Sequence, residues 1–330
     1  MTGRLLDLNG IRVSFRNDAG EWAEALRGVD LHVDPGEVLG IVGESGSGKS
    51  VAMMALLQLL PRGARVEGSA RFHGQELIGM PAARIRRIRG KSIGCIFQDP
   101  LSAFNPVITL GDQIAEAIRL HDRSVSRRKA LAEAERLLEM VAIPQPARRL
   151  RQYPHEFSGG MRQRAMIAMA LANRPELLIA DEPTTALDVT VQAQILDLLG
   201  DLRRDLGIGL ILITHDLGVV AGMADRIAVM YGGRIVEAGL TEDIFYDTAH
   251  PYTRGLIGAV PDIEGAGPLR QIEGTPPSIF GRPDGCAFAP RCAMARDRCR
   301  AEDPALRRVG GHRSACHFAE ALTSAGTEPA

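Results

Sequence analysis

Residues 43–50, with the sequence Gly-Glu-Ser-Gly-Ser-Gly-Lys-Ser, constrain this chain more than any other stretch. They fit the phosphate-binding pattern G-x-x-x-x-G-K-[ST], and they stand between the apolar run 38–42 and a helix-forming run that starts at Val51. Glycines allow such a loop to curl until successive backbone N–H groups point inward, where the positive end of the following helix also points. The loop therefore predicts a bound polyphosphate between a strand and a helix.

Two side chains of this loop have predicted roles of their own. Lys49 is expected to reach the β and γ phosphates, and the Ser50 hydroxyl is expected to bind a Mg²⁺ ion, which prefers hard oxygen ligands. The predicted nucleotide contacts in this stretch are Gly43, Ser45, Gly46, Gly48, Lys49, Ser50 and Val51.

Composition restricts the class of protein. The chain has 330 residues, of which 45% are hydrophobic and 24% are charged, and its formal net charge is −1. That balance argues against a chain committed as a whole to nucleic acid or to polybasic membrane binding. Residues 1–7 lack the apolar core of a secretory signal, and no run reaches the roughly 18 apolar residues of a membrane span. A cytoplasmic or peripheral protein is expected.

Short alternating segments before the loop, residues 4–8, 11–15 and 28–33, predict antiparallel strands. Phe15 offers a flat aromatic face on which an adenine could stack, and a place in the core is an equally weighted interpretation. Further along, Gln98 follows a strand-like run, where its amide could face metal and water or could belong to a turn. Residues 110–150 then show helical periodicity, which predicts an inserted helical subdomain.

A second anion-binding helix start is predicted at Ser158, Gly159 and Gly160, directly before an Ala- and Met-rich helix. One triphosphate does not easily occupy two such cradles of one chain. The geometry is simplest when the two cradles come from different subunits.

Polar residues follow two further apolar runs. Residues 177–182 form a strand ending in Asp181, predicted to hold Mg²⁺, and Glu182, predicted to orient the attacking water. Residues on a strand alternate between faces, so the two carboxylates are expected to differ in role, with solvated charges as the alternative. His215 ends the run 209–214, where contact with the γ phosphate competes with a structural or exposed role.

These motifs together resemble the ATP-binding-cassette ATPases. The phosphate loop, Gln98, the stretch 158–163, the stretch 177–182, the stretch 186–188 and His215 occur in that family's order and approximate spacing. The resemblance implies nucleotide contacts by Gln98, Asp181, Asp188 and the Ser158–Gly160 segment, Mg²⁺ binding by Ser50, Gln98 and Asp181, and catalysis by Glu182, His215 and Gln98. It also implies a head-to-tail dimer, of self or of a paralogue, in which each signature segment covers the partner's ATP.

Within that family the chain is similar to ATPase subunits of bacterial di- and oligopeptide importers. The similarity lies in residues 98–106, 156–164, 250–253 and 273–277, followed by clustered cysteines. It implies two membrane permeases as partners, an extracytoplasmic solute-binding protein as an indirect partner, no nucleic acid, and a peripheral place on the cytoplasmic face of the inner membrane.

Four of the five cysteines, Cys286, Cys292, Cys299 and Cys316, lie near the end of the chain. Four thiolates suit an iron–sulfur cluster or zinc, and free thiols are the third interpretation. His312 or His317 is near enough in sequence to replace one cysteine. The family resemblance favours a [4Fe-4S] cluster, because some dipeptide-importer ATPases contain one.

The resulting prediction is an α/β protein with a P-loop ATPase core of the ABC type, an antiparallel β subdomain, an inserted helical subdomain and a cysteine-containing extension. The expected boundaries are 1–98 and 176–240 for the core, 99–175 for the helical subdomain and 241–330 for the extension. The expected function is ATP hydrolysis that drives peptide import. The alternatives are a soluble ABC-type ATPase acting on nucleic acid or ribosomes through a zinc-binding tail, and a redox sensor that uses nucleotide only as a switch.

Overall fold

A computed structural model describes residues 3–259 and 272–323. Residues 1–2, 260–271 and 324–330, which belong to the predicted N-terminal segment and C-terminal extension, lie outside the described residues. The described strands, in chain order, are β1 (Leu6–Arg16), β2 (Trp22–Val33), β3 (Val38–Val42), β4 (Arg65–Phe72), β5 (Gln75–Glu76), β6 (Ile93–Ile96), β7 (Leu177–Asp181), β8 (Gly209–Thr214), β9 (Arg226–Tyr231), β10 (Arg234–Leu240), β11 (Arg307–Val309) and β12 (His312–Ser314).

The α-helices, in the same order, are α1 (Lys49–Leu56), α2 (Ala82–Ile88), α3 (Pro100–Ala103), α4 (Leu110–His121), α5 (Arg127–Met140), α6 (Pro146–Arg149), α7 (Gly159–Ala170), α8 (Val189–Leu206), α9 (Leu217–Ala221), α10 (Thr241–Tyr246), α11 (Pro251–Gly258) and α12 (Asp297–Ala301). No helix among residues 3–259 and 272–323 combines the length and the apolar character that a membrane crossing requires.

The chain divides into two compact units. Unit 1 contains the described residues of 1–33, 38–79 and 213–330, and unit 2 contains residues 34–37 and 80–212. The predicted boundaries of core, helical subdomain and extension were drawn from motif positions and stay a prediction.

Unit 1 begins with an antiparallel sheet in the order β2-β1-β4-β5. Side chains of β1 alternate in burial, with Leu6, Leu8, Ile11 and Val13 in the core, as the period of a half-buried strand requires. The sequence predicted two separate strands here, whereas β1 is continuous and its pairing shifts register beyond Leu8. A local irregularity absorbs the interruption at residues 9–10, so the strand bends without ending.

A second set of strands in unit 1 carries the phosphate loop. β3 is buried at every position and pairs in parallel with β9, which pairs in antiparallel fashion with β10. β9 and β10 form a hairpin through Gly232 and Gly233, and both glycines have positive φ angles. β10 also pairs with β12, which pairs with β11, so a hairpin from the C-terminal extension continues this sheet.

Unit 2 combines helices with the parallel pair β6 and β7. The predicted helices of the insertion are confirmed as α4 and α5, which pack against each other and against α7. Their apolar faces are buried, through Ile114 of α4, Leu137 and Leu138 of α5, and Met166 and Ile167 of α7.

Candidate active site

The phosphate loop joins the end of β3 to the start of α1 at Lys49. Gly46 and Gly48 have φ angles of +78° and +103°, a region that favours glycine. A Cβ atom on Gly48 would lie 2.6 Å from Leu26 Cδ2, and one on Gly43 would lie 2.2 Å from the carbonyl oxygen of Met230. Position 48 therefore requires glycine for the turn and for close packing, position 46 for the turn, and position 43 for close packing.

Lys49 is the buried cation of this loop, with 5% of its surface exposed. Its Nζ donates hydrogen bonds to the carbonyl oxygens of Gly43, at 2.6 Å, and Glu44, at 3.1 Å. The first turn of α1 has no acidic residue that would offset the helix dipole. The seven loop residues from the sequence analysis thus lie on one strand–loop–helix segment whose chemistry suits an anion.

Two further predicted residues lie elsewhere in unit 1. Phe15 stands near the end of β1, paired with Ala23, and is half-buried. His215 follows β8 directly and is exposed, while the buried Thr214 Oγ1 accepts a hydrogen bond from the N–H of Asp216. Their proposed contacts with adenine and γ phosphate stay predictions.

In unit 2 the strand β7 delivers the two carboxylates. Its first four residues are buried, and it ends at Asp181. The following residue, Glu182, has a φ angle of +47°. Regular strand geometry therefore does not extend to Glu182, and the alternation of strand faces is the wrong reason for expecting the two carboxylates to differ in role. The backbone turns into the left-handed region after Asp181, and such strained residues are concentrated at functional sites.

Glu182 is held by two hydrogen bonds to the same oxygen. Gln98 Nε2 donates to Glu182 Oε2 at 2.9 Å, and Thr185 Oγ1 donates to it at 2.9 Å. The structure thus brings together Gln98 and Glu182, which are 84 positions apart in sequence. A carboxylate fixed in this way can orient a water molecule and accept its proton.

Asp181 is half-buried beside the strand β6. Burial raises the pKa of the Cys95 thiol on β6 to about 12, and the negative charge of Asp181 adds to that rise. Cys95 consequently stays protonated near neutral pH and behaves as a small hydrophobic residue.

The signature segment forms the start of α7. Ser158 is the N-cap, and its Oγ accepts a hydrogen bond from the N–H of Met161 at 3.4 Å. Ser158 and Gly159 are exposed, whereas a Cβ on Gly160 would lie 2.7 Å from Val191 Cγ1. Two of the three residues are thus available to a ligand, and the third is glycine because α8 packs closely.

Asp188 caps α8. Its Oδ1 accepts a hydrogen bond from the N–H of Val191 at 3.0 Å. Because a side-chain cap satisfies an otherwise unpaired helical N–H group, Asp188 has a structural role whatever it contacts in addition.

The four C-terminal cysteines line one cavity in unit 1. Its other polar lining residues are His250 and His317. Burial raises the pKa of Cys286, Cys292 and Cys316, the last to about 11, and the charges of the other three thiols add to the rise at Cys316. Within residues 3–259 and 272–323, no group of three or more His, Cys, Asp or Glu side chains is placed to hold a metal ion.

Of the two histidines considered as substitutes for a cysteine, only His317 lines this cavity. His312 instead pairs with Glu237 at 2.9 Å, and both side chains are fully buried. Sequence reasoning missed His250, whose Nδ1 accepts a hydrogen bond from the N–H of Tyr252 at 3.1 Å, and burial lowers its pKa to about 3. The signal available in the sequence was that His250 precedes Pro251, because proline is common at the first position of a helix and so marks His250 as the N-cap of α11.

Comparison with known proteins places these features in context. Residues 26–185 match the family described as ABC transporter, and residues 236–299 match the family described as the C-terminal region of oligopeptide/dipeptide transporters. An oligopeptide transport ATP-binding protein of Salmonella typhimurium is 48% identical over 314 residues, which is 94% of this chain and 93% of that protein.

A protein described in the same words from Mycobacterium bovis is 52% identical over 322 residues, or 97% of this chain. The chain spans about half the length of that relative, 52%. Among solved structures, a dimeric ATP-binding cassette in a post-hydrolysis state with ADP and Pi superposes with a TM-score of 0.64 and 27% identity. It covers 72% of this chain and 98% of its own chain, which confirms the predicted α/β P-loop fold of the ABC type.

Proposed function

Because this chain belongs to the ATP-binding-cassette family, in the branch of the oligopeptide transport ATP-binding proteins, we propose that it hydrolyses MgATP to drive the import of peptides. The proposal rests on one observation. The chain matches both the ABC transporter family and the C-terminal region of oligopeptide/dipeptide transporters. The second match favours an importer over a nucleic-acid or ribosome ATPase of the same fold.

In this proposal the loop from Gly43 to Val51 binds the phosphates, and Lys49 exchanges its loop carbonyl partners for phosphate oxygens. Mg²⁺ would be held by oxygen atoms of Ser50, Gln98 and Asp181, and it would neutralise charge that develops on the phosphates. Glu182 orients the attacking water and accepts its proton, His215 contacts the γ phosphate, and Phe15 stacks against adenine. The hydrogen bond from Gln98 to Glu182 supports this assignment.

The proposal includes a head-to-tail dimer with a second ATPase subunit, a copy of this chain or a paralogue. Ser158 and Gly159 are exposed at a capped helix start, where backbone N–H groups and the helix dipole favour an anion. Ser158, Gly159, Gly160 and Asp188 would then contact the partner's nucleotide. The dimeric cassette with ADP and Pi supports this arrangement by similarity.

Import also requires a pathway through the membrane. We therefore propose two permease subunits as direct partners, an extracytoplasmic solute-binding protein as an indirect one, and a peripheral position on the cytoplasmic face of the inner membrane. Nucleic acid has no part in this proposal.

Purification of the tagged chain from detergent-solubilised membranes tests the importer proposal. We expect two strongly apolar membrane proteins to co-purify, and ATP hydrolysis by the complex to rise when a peptide-loaded binding protein is added. The Lys49→Met variant is the control for hydrolysis by contaminants. A chain that purifies with RNA or ribosomes, without membrane proteins, would contradict the proposal.

The cysteine cavity adds a second element to the proposal, a [4Fe-4S] cluster. Cys286, Cys292, Cys299 and Cys316 line one cavity together with His250 and His317. Four cysteine thiolates are the usual ligand set of such a cluster, in which each thiolate binds a different iron atom. Once bound, it would supply the positive charge that keeps these thiols deprotonated.

Anaerobic purification of the full chain tests the cluster. We expect broad visible absorbance and four iron atoms per chain, because four cysteines are the ligands of one [4Fe-4S] cluster. Cys292→Ser should lose most of this absorbance, while Cys95→Ser, a matched thiol in unit 2, should retain it. Stoichiometric zinc, or four thiols that react freely with a thiol reagent, would show that the cavity holds no cluster.

A further inference from the structure

Arg291 reaches the phosphate loop from the cysteine segment. It immediately precedes Cys292, and its side chain is 5% exposed. Its guanidinium donates to both carboxylate oxygens of Glu44, the second residue of the loop, at 2.6 and 2.9 Å. The two residues are 247 positions apart in sequence. Paired bonds of this kind fix orientation as well as distance.

The remaining donors of Arg291 are also engaged. Nε donates to the carbonyl oxygen of Glu273 at 2.8 Å, and the terminal nitrogens donate to the carbonyl oxygen of Ile272 and the hydroxyl of Tyr231, each at 3.2 Å. Arginine has five N–H donors, and five hydrogen bonds are formed here. The guanidinium therefore has one well-defined position.

Glu44 is held by its backbone as well. Its N–H donates to the hydroxyl of Tyr252 at 2.8 Å, and its carbonyl oxygen accepts from Lys49 Nζ at 3.1 Å. The residue thus stands between the C-terminal region, which holds its carboxylate and N–H, and the lysine of the phosphate loop. A displacement of Glu44 would change the carbonyl position that Lys49 meets and the loop curvature around it.

Aromatic packing continues this connection to the cysteine cavity. The ring centroids of Tyr231 and Tyr252 are 4.6 Å apart, and Phe288 lies 5.3 Å from the first ring and 5.4 Å from the second. Phe288 lines the cysteine cavity. The three packed rings thus form a continuous contact between the cavity lining and the residues that hold Glu44.

We propose that Arg291 is a positioning residue for nucleotide binding, acting through Glu44, and that it conveys the state of the cysteine cavity to the phosphate loop. The inference rests on the proposed function, because it assigns that loop to ATP. It adds a device by which loss of the cavity's occupant weakens ATP binding.

The test measures the Kd for a fluorescent, non-hydrolysable ATP analogue with Mg²⁺, on the folded fraction of the full chain. Arg291→Met is expected to raise this Kd about 10-fold, within the usual range of coupling between sites. In ATP hydrolysis KM should rise while kcat changes little, because the loop's contacts serve ground state and transition state alike. Arg291→Lys keeps the charge without the paired bonds and should lie between wild type and Arg291→Met.

Three further variants complete the design. Glu44→Gln should also raise the Kd. The double variant Glu44→Gln/Arg291→Met should have a Kd no higher than that of the single variant with the higher Kd, because both changes break the same interaction. Cys292→Ser should also raise the Kd, and adding Arg291→Met should have little further effect. Arg308→Met, at an exposed arginine of the same extension whose Nε donates to the carbonyl oxygen of Gly310 at 3.4 Å, is the control and should leave the Kd unchanged.

The outcomes separate this inference from the proposed function. A wild-type chain that binds no ATP analogue would overturn the proposed function. A wild-type chain that binds it, with Arg291→Met and Glu44→Gln binding equally well, would overturn only the positioning role. Additive effects of Cys292→Ser and Arg291→Met would overturn the connection to the cavity.

Discussion

Glu182→Gln is expected to lower the rate of ATP hydrolysis by about 10²–10⁴-fold, the usual contribution of a general base. The variant keeps an amide oxygen where Glu182 Oε2 accepts hydrogen bonds from Gln98 and Thr185, so the local structure should survive. It loses the negative charge that accepts the proton of the attacking water. Phosphate release by the purified transporter complex measures the rate, and binding of an ATP analogue should be unchanged.

Glu176→Gln is the matched control for this variant. Glu176 is exposed and stands just before β7, whereas Glu182 follows its other end. The same change of charge there should leave hydrolysis within about twofold of wild type. If Glu182→Gln retained most of the wild-type rate, Glu182 would not be the base, and the carboxylate of Asp181 would need testing in its place.

His312→Ala is expected to lower the free energy of unfolding by about 3–5 kcal/mol, the usual cost of removing one member of a buried ion pair. His312 and Glu237 are fully buried, and the same Glu237 oxygen also accepts the N–H of Ala249 at 2.5 Å. Within the described residues, Glu237 Oε2 and His312 Nδ1 have no hydrogen-bond partner. Removal of the imidazole therefore leaves a buried carboxylate with one backbone donor.

The effect of this variant should depend on pH with a definite sign. The hydrogen bond to Glu237 raises the pKa of His312, burial opposes the rise, and the charges of Glu237, Asp243 and Asp247 add to it. A raised pKa in the folded state means that the stabilisation is complete below the unfolded pKa of about 6.5 and is lost as pH rises through the higher folded value. The difference between wild type and His312→Ala should therefore shrink above neutral pH.

Chemical denaturation at several pH values measures this difference. Arg313→Gln is the control, because Arg313 is exposed on the same strand and exposed substitutions usually change stability by less than about 0.5 kcal/mol. An equal loss for His312→Ala at all pH values would contradict a charged pair and would leave a neutral hydrogen bond and the packing of the ring as the causes.

Much of the candidate site could be predicted because its signals are local. The phosphate loop needs glycines at fixed positions between a strand and a helix, and Ser158 and Asp188 precede helices as side-chain caps do. The apolar run of β7 likewise predicts a buried strand with polar residues at its end. At Glu182 the prediction extended regular strand geometry one residue too far, because the backbone there turns into the left-handed region.

The sequence by itself thus determined the α/β P-loop fold, the order of its motifs and the clustering of four cysteines, because short-range sterics and hydrophobic periodicity act within a few residues. Only the tertiary structure decided which distant side chains meet. The pairs Arg291–Glu44 and His312–Glu237, and the place of His250 beside the cysteines, depend on how the C-terminal extension packs on the strands of unit 1. A charged residue in a sequence does not identify its partner, since these two pairs join residues 247 and 75 positions apart.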